Sequence, residues 1–180
     1  MGVVYQEIDD KISAWIEKQK MFFVSTAPLS NNGLINCSPK GLDTFRILGK
    51  RTVAYLDFTG SGVETIAHLK ENGRIVVMFC AFEGPPKIIR FHGKGVVFEQ
   101  GSEGYEKRLS HFDQHLGARS IIEIDVQRIS DSCGYSVPLY DFKAQRETLT
   151  KWAEVKGNEG VATYQQEKNR VSLDGLPGLD

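Results

Sequence analysis

Ile8, Ile12, Trp15 and Ile16 recur at helical spacing, which predicts an amphipathic helix over residues 5–19 that rests on an apolar surface. Strand patterns follow at once. FFVSTA (22–27) and the apolar stretch LINCS (34–38) flank PLSNNG, whose Asn-Asn-Gly suits the positive-φ positions of a hairpin turn. LINCS reads as a buried strand ended by Pro39 and Lys40. TVAYLDF (52–58) and RIVVMFCAF (74–82) make two more strands, and KIIRFHGKGVVFE (87–99) a long fifth in which Gly93 and Gly95 mark a bend or bulge. Five strands packed so closely along the chain point to a barrel.

Three further helices and one strand complete the pattern. Ile66 and Leu69 mark a short helix after TGSG, ended by Asn72-Gly73. Tyr105, Leu109, Phe112 and Leu116 define a second amphipathic helix, and SIIEIDVQRIS (120–130) alternates as a sixth strand. A last helix is expected around RETLTKWAEVKG, followed from Asn158 to Asp180 by a polar tail that stays loose or wraps a neighbour.

Composition narrows the function classes. The chain has 180 residues, 41% of them hydrophobic, enough for one domain with a substantial core. A net charge of −1 and a pI near 6.4 provide no basic field for nucleic acid or an anionic membrane, which also disfavours an oligonucleotide-binding barrel. No apolar run is long enough for a membrane span, and MGVVYQEIDD lacks the marks of a signal peptide, so a cytoplasmic protein is expected. Cys37, Cys80 and Cys133 are odd in number and widely spaced, and read as reduced thiols rather than a disulfide framework or zinc site.

Two stretches carry candidate chemistry. TGSG (59–62) ends a strand and opens a helix, so its amides and the hydroxyls of Thr59, Ser61 and Thr65 converge at the positive end of a helix dipole. An ordinary helix cap looks much the same, and Glu64 in the first turn would repel a phosphate if it faced inward. Lys40 becomes a partner for that turn if the strands bearing them lie side by side, the alternative being a solvated loop lysine. Other residues read as structural. His111 and His115 share a helical face but have no third ligand, His68 and His92 suit satisfied structural roles, and Asp9-Asp10 suits a solvated helix face. Ser25, Ser38 and Ser136 lack a nucleophile-elbow context.

The succession of helix, hairpin, SPKG, YLDFTGSG, helix, LKENGRIVVMF and KIIRFHGKGVVFE resembles the pyridoxamine 5′-phosphate oxidase-like flavoproteins over roughly residues 20–130. That resemblance implies a mainly β fold with flanking helices, a six-stranded FMN-binding split β-barrel. Residues 1–142 would form the barrel with its N-terminal helix, and 143–180 a helix and tail of the same domain. It also implies a homodimer with FMN in the groove between protomers and an oxidoreductase acting on a small molecule, the alternative being a non-catalytic holder of FMN or haem. The flavin-contacting segments would fall on Asn36, Cys37, Ser38, Pro39 and Lys40, and on Tyr55, Leu56, Asp57, Phe58 and Thr59. The phosphate turn would be Gly60, Ser61, Gly62, Val63, Glu64 and Thr65, with Arg90 beside the barrel rim. Tyr135 or Tyr140 would cover the flavin. Two departures stand against oxidation of pyridoxamine phosphate itself. Val63-Glu64-Thr65 replaces the family's Ser-Arg-Lys, and NRVSLDGLPGLD contains no Arg-x-His.

Overall fold

Eight strands build one curled antiparallel sheet in the order β3-β2-β6-β7-β8-β5-β4, with β1 pairing on β8, and alternation of apolar and polar residues sets its inner face in β2 and β6. The computed structural model describes residues 2–180. The strands are β1 (Val4–Tyr5), β2 (Phe22–Thr26), β3 (Asn36–Lys40), β4 (Phe45–Gly49), β5 (Thr52–Phe58), β6 (Arg74–Cys80), β7 (Ile88–Glu99) and β8 (Ala118–Ser132). The helices are α1 (Asp10–Ile16), α2 (Glu64–Asn72), α3 (Glu103–Leu109) and α4 (Thr148–Lys168). Val24, Val77, Phe91 and Ile129 are cross-strand neighbours in one register row, and all four are fully buried at the barrel's centre. Phe22 of β2 meets Phe45 of β4 with ring centroids 5.2 Å apart, which brings the two ends of the sheet together across the interior. The end strands β3 and β4 do not join by a ladder, so the barrel is split there, between β3 on one side and the β4–β5 pair on the other.

The sequence anticipates six strands and the structure has eight. β1 is two residues long, and β4, FRILG, has no buried residue and so no alternation to betray it. Tyr5 belongs to β1, which shortens the expected first helix to α1, and Asp9, exposed as expected, also serves as the N-cap, accepting from the Ile12 amide at 2.8 Å. The second predicted strand shifts from 34–38 to β3, with Pro39 and Lys40 inside it. Leu34 and Ile35 are exposed rather than buried, because β3 is an edge strand where a proline costs no ladder bond. None of Asn31, Asn32 and Gly33 takes a positive φ, since the connection is a long loop rather than a tight turn.

Glycine punctuation is followed closely. Gly73 ends α2 in the left-handed conformation, its amide donating to the Leu69 carbonyl. The register shifts between His92 and Gly93, where a Cβ on Gly93 would lie 2.1 Å from the Asp125 carbonyl oxygen. The helix expected to reach Leu116 stops at Leu109, so His111 and His115 share no helical face. The expected last helix breaks at Gly157 (φ 65°), and a second helical run continues to Lys168 where a loose tail is expected. Residues 169–180 then pack back on α2, with Leu179 buried against Val63 and Ile66.

Candidate functional site

β3 presents alternate residues to the split. Asn36, Ser38 and Lys40 lie in the same register rows as the buried Thr26, Val24 and Phe22, so they face inward, while Cys37 and Pro39 are exposed. Across the split, Lys40 Nζ lies 2.6 Å from Asp57 Oδ1 on β5, and Asn36 Nδ2 donates to Thr65 Oγ1 of α2 at 2.9 Å. Side chains therefore bridge where backbone does not. Ser38 donates its hydroxyl to Asn36 Oδ1, and Thr26 Oγ1 lies 3.0 Å from His68 Nδ1.

Asp57 is the electrostatic centre. Its side chain is 0% exposed and is held by Lys40 on one oxygen and by Arg119 Nε, at 2.8 Å, on the other. Burial alone would raise this carboxyl, but Arg119 and Lys40 outweigh it and hold Asp57 below its usual range. Arg119 also donates to the Gly62 carbonyl and to Asn169 Oδ1, and Asn169 Nδ2 donates to the Gly60 carbonyl at 2.9 Å. Gln165 Nε2 donates to Thr59 Oγ1 at 2.7 Å. The TGSG turn is thus anchored through its carbonyls by Arg119 and by the C-terminal segment.

That anchoring leaves the opposite polarity free. The N–H groups of Gly60, Ser61 and Gly62 make no hydrogen bond among the described residues, nor does the Ser61 hydroxyl, and Gly60 and Ser61 are exposed. These donors stand before α2, at its positive end. Unmatched amides beside a free hydroxyl fit a phosphate. Thr65, by contrast, is buried and already accepts from Asn36. Val63 is buried against the tail, and the Glu64 carboxylate accepts from the Leu173 amide through Oε1 while Oε2 lies against Gly62, which leaves Gly60 and Ser61 as the open side of the turn.

The remaining expected residues separate into two groups. Phe58 and Thr59, with Pro39, Lys40 and Leu56, line a cavity of about 900 Å³ between the barrel end and residues 140–152. Tyr55 points the other way, its ring fully buried and its hydroxyl without a partner, and burial pushes its pKa well up. Arg90 lies apart, on the outer face of β7, where it donates to Ser132 Oγ at 2.9 Å. Tyr140 lines the cavity, whereas Tyr135 is exposed and does not. His68 is fully buried with Nε2 unmatched, its nearest carboxylate being Asp174 at 3.7 Å. His92 is no satisfied structural residue either, since its buried Nδ1 has no partner. His115 packs its ring on the edge of Phe58, and the described residues hold no cluster of three metal ligands.

Arg119, Asn169 and Gln165 escape the sequence reading. A signal existed for Arg119, a charge at the head of the apolar run IIEI; none existed for Asn169 or Gln165, whose roles depend on the tail folding back.

Comparison with known proteins agrees with this fold. The family model for pyridoxamine 5′-phosphate oxidase matches residues 8–133. The chain is 42% identical to the pyridoxamine 5′-phosphate oxidase family protein ustO of Aspergillus flavus over 197 aligned positions, which cover 99% of this chain and 78% of that protein. Among solved structures, HupZ of Group A Streptococcus is similar with a TM-score of 0.54 at 23% identity, covering 69% of this chain and 99% of that one. A candidate pyridoxamine 5′-phosphate oxidase from Lactobacillus delbrueckii gives a TM-score of 0.52 at 12% identity, over 69% of this chain and 94% of its own. With a split barrel, the family model across most of its length and a close relative from end to end, the chain belongs to the pyridoxamine 5′-phosphate oxidase family.

Proposed function

We propose that this protein binds FMN along the split between β3 and β5 and uses it as an oxidoreductase on a small organic substrate. The observation that carries this reading is the set of unmatched donors at the TGSG turn, next to a large apolar cavity in a chain of this family. Ser61 and the amides of Gly60 to Gly62 would hold the phosphate, and Lys40, fixed by Asp57, would offer its charge to the ring system. Asn36 and Ser38 supply hydrogen-bonding groups along the same edge. FMN, when bound, supplies reversible hydride or electron transfer, which no side chain of this chain can provide. The buried Asp57 stays ionised between two cations, so its part is to orient Lys40 rather than to exchange protons.

A homodimer belongs to the same reading. Pro39, Phe23, Met78 and Arg90 form one outward row across β3, β2, β6 and β7, continuous with the exposed Cys37. A second copy laid on this face would cover Pro39, Phe23 and Met78 of this row and the open edge of β3 together.

The test compares FMN with riboflavin by fluorescence titration of the Ser61→Ala protein. Loss of a neutral hydroxyl from a phosphate contact predicts about three- to tenfold weaker FMN binding, on the order of 1 kcal/mol, with riboflavin unchanged. Equal losses for both ligands, or none for either, would remove the turn from phosphate recognition.

A further inference from the structure

The cavity beside the split extends beyond Pro39, Lys40, Leu56, Phe58 and Thr59, where the flavin segments line it. Its far wall is a strap of irregular chain, residues 140–147, that leaves the end of the barrel and leads into α4. The Tyr140 amide donates to the Phe82 carbonyl at 2.9 Å, the Phe142 amide to Glu83 Oε1 at 2.9 Å, and Gln145 Nε2 to the Lys20 carbonyl at 3.0 Å. Phe58, Phe82, Tyr140, Phe142 and Trp152 give the cavity an aromatic lining. Its mouth is cationic. Lys18, Lys20, Lys143 and Arg146 are exposed, line the same cavity and take part in no ion pair among the described residues. Two acids share that mouth, and one of them, Glu83, is engaged by the strap. The positive excess is local, since the whole chain carries a net charge of −1.

We infer that the strap side of this cavity is a second binding site, for an organic anion with an apolar, planar body, and that it seats the substrate beside the flavin. The latter half rests on the flavin reading above; the anion site itself does not. Aromatic walls select a planar apolar body, and four unpaired cations at the mouth select a negative group at its end. Lys143 and Arg146 sit on the strap itself, so an anion bound at the mouth also ties the strap to Lys18 and Lys20 at the end of the barrel.

The experiment is calorimetric titration of the purified protein, alone and saturated with FMN, using 2-naphthoate, the neutral 2-naphthylmethanol and the cationic 2-naphthylmethylammonium. Naphthoate should bind best and the ammonium worst, in the same order with FMN present, and millimolar pyridoxamine 5′-phosphate should not displace it. A Lys143→Gln, Arg146→Gln protein, altered only on the exposed strap, should bind naphthoate about fivefold or more weakly while naphthylmethanol and FMN affinities stay unchanged. Equal affinity for all three probes, or displacement by pyridoxamine 5′-phosphate, would overturn the assignment. Stoichiometric displacement of naphthoate by FMN would make this the flavin's own pocket and overturn the second site while leaving flavin binding intact. Naphthoate binding with charge preference but no FMN binding would support the anion site and sink the flavin reading alone.

Discussion

At the scale of single residues, Asp57 decides most. A carboxylate with no solvent, clasped between Arg119 and Lys40, is costly to bury and more costly to break. Asp57→Asn should destabilise the protein by about 3–5 kcal/mol in urea unfolding at neutral pH, because two buried or half-buried cations lose their counter-charge. The sign with pH follows from its lowered value. A carboxyl depressed in the folded state contributes stability above its unfolded value, near about pH 4, and loses it as pH falls through the folded value. The gap between wild type and Asp57→Asn should therefore narrow in acid; a gap that held constant to the bottom of the range would mean that the charge is not the source. The sequence made Lys40 legible, as a cation following a proline on an edge, but not its partner. Asp57 sits within an apolar strand, and nothing local says that it meets residues 17 and 62 positions away.

At the scale of elements, the C-terminal segment behaves as part of the site. Asn169 is fully buried, accepts from Arg119 and donates to the Gly60 carbonyl, so Asn169→Ala should cost about 1–3 kcal/mol by leaving that carbonyl without its donor and removing one of the three acceptors of Arg119. It should also weaken FMN more than riboflavin, since the turn proposed to meet the phosphate loses one of its two anchors. Thermal unfolding with parallel flavin titrations reads both effects, and a variant as stable and as selective as wild type would reduce the tail to packing. Polar, glycine-containing composition made NRVSLDGLPGLD look loose. Its order comes from Leu179 on Val63 and Ile66 and from Lys70 donating to the Gly178 carbonyl, contacts a linear pattern does not carry. The stretches that alternate cleanly, β2, β6 and the middle of β8 from Ile122 to Val126, were legible for the opposite reason, as their interior rows are set by local periodicity. β4 was not, because all its apolar residues are only half-buried.

At the scale of the whole molecule, a split barrel with an apolar outer row calls for a partner. Light scattering at micromolar concentration should report a dimer, and Phe23→Glu, Met78→Glu should give a folded monomer, since both side chains lie outside the core. A wild-type monomer would contradict the role given to that face. Barrel class and the punctuation at Gly73 and Gly93 could be read from the chain, whereas the way the sheet curls could not, because Phe22 meeting Phe45 is a closure between strands distant in the sheet order. The central claim is flavin binding, and equilibrium dialysis of the purified protein against FMN, read by the flavin absorbance retained, tests it most directly. The account predicts saturable binding of one FMN per chain with a dissociation constant in the micromolar range or below, roughly −8 kcal/mol or tighter. Retention no greater than that of free buffer at 100-fold higher FMN, roughly 3 kcal/mol weaker, would contradict it.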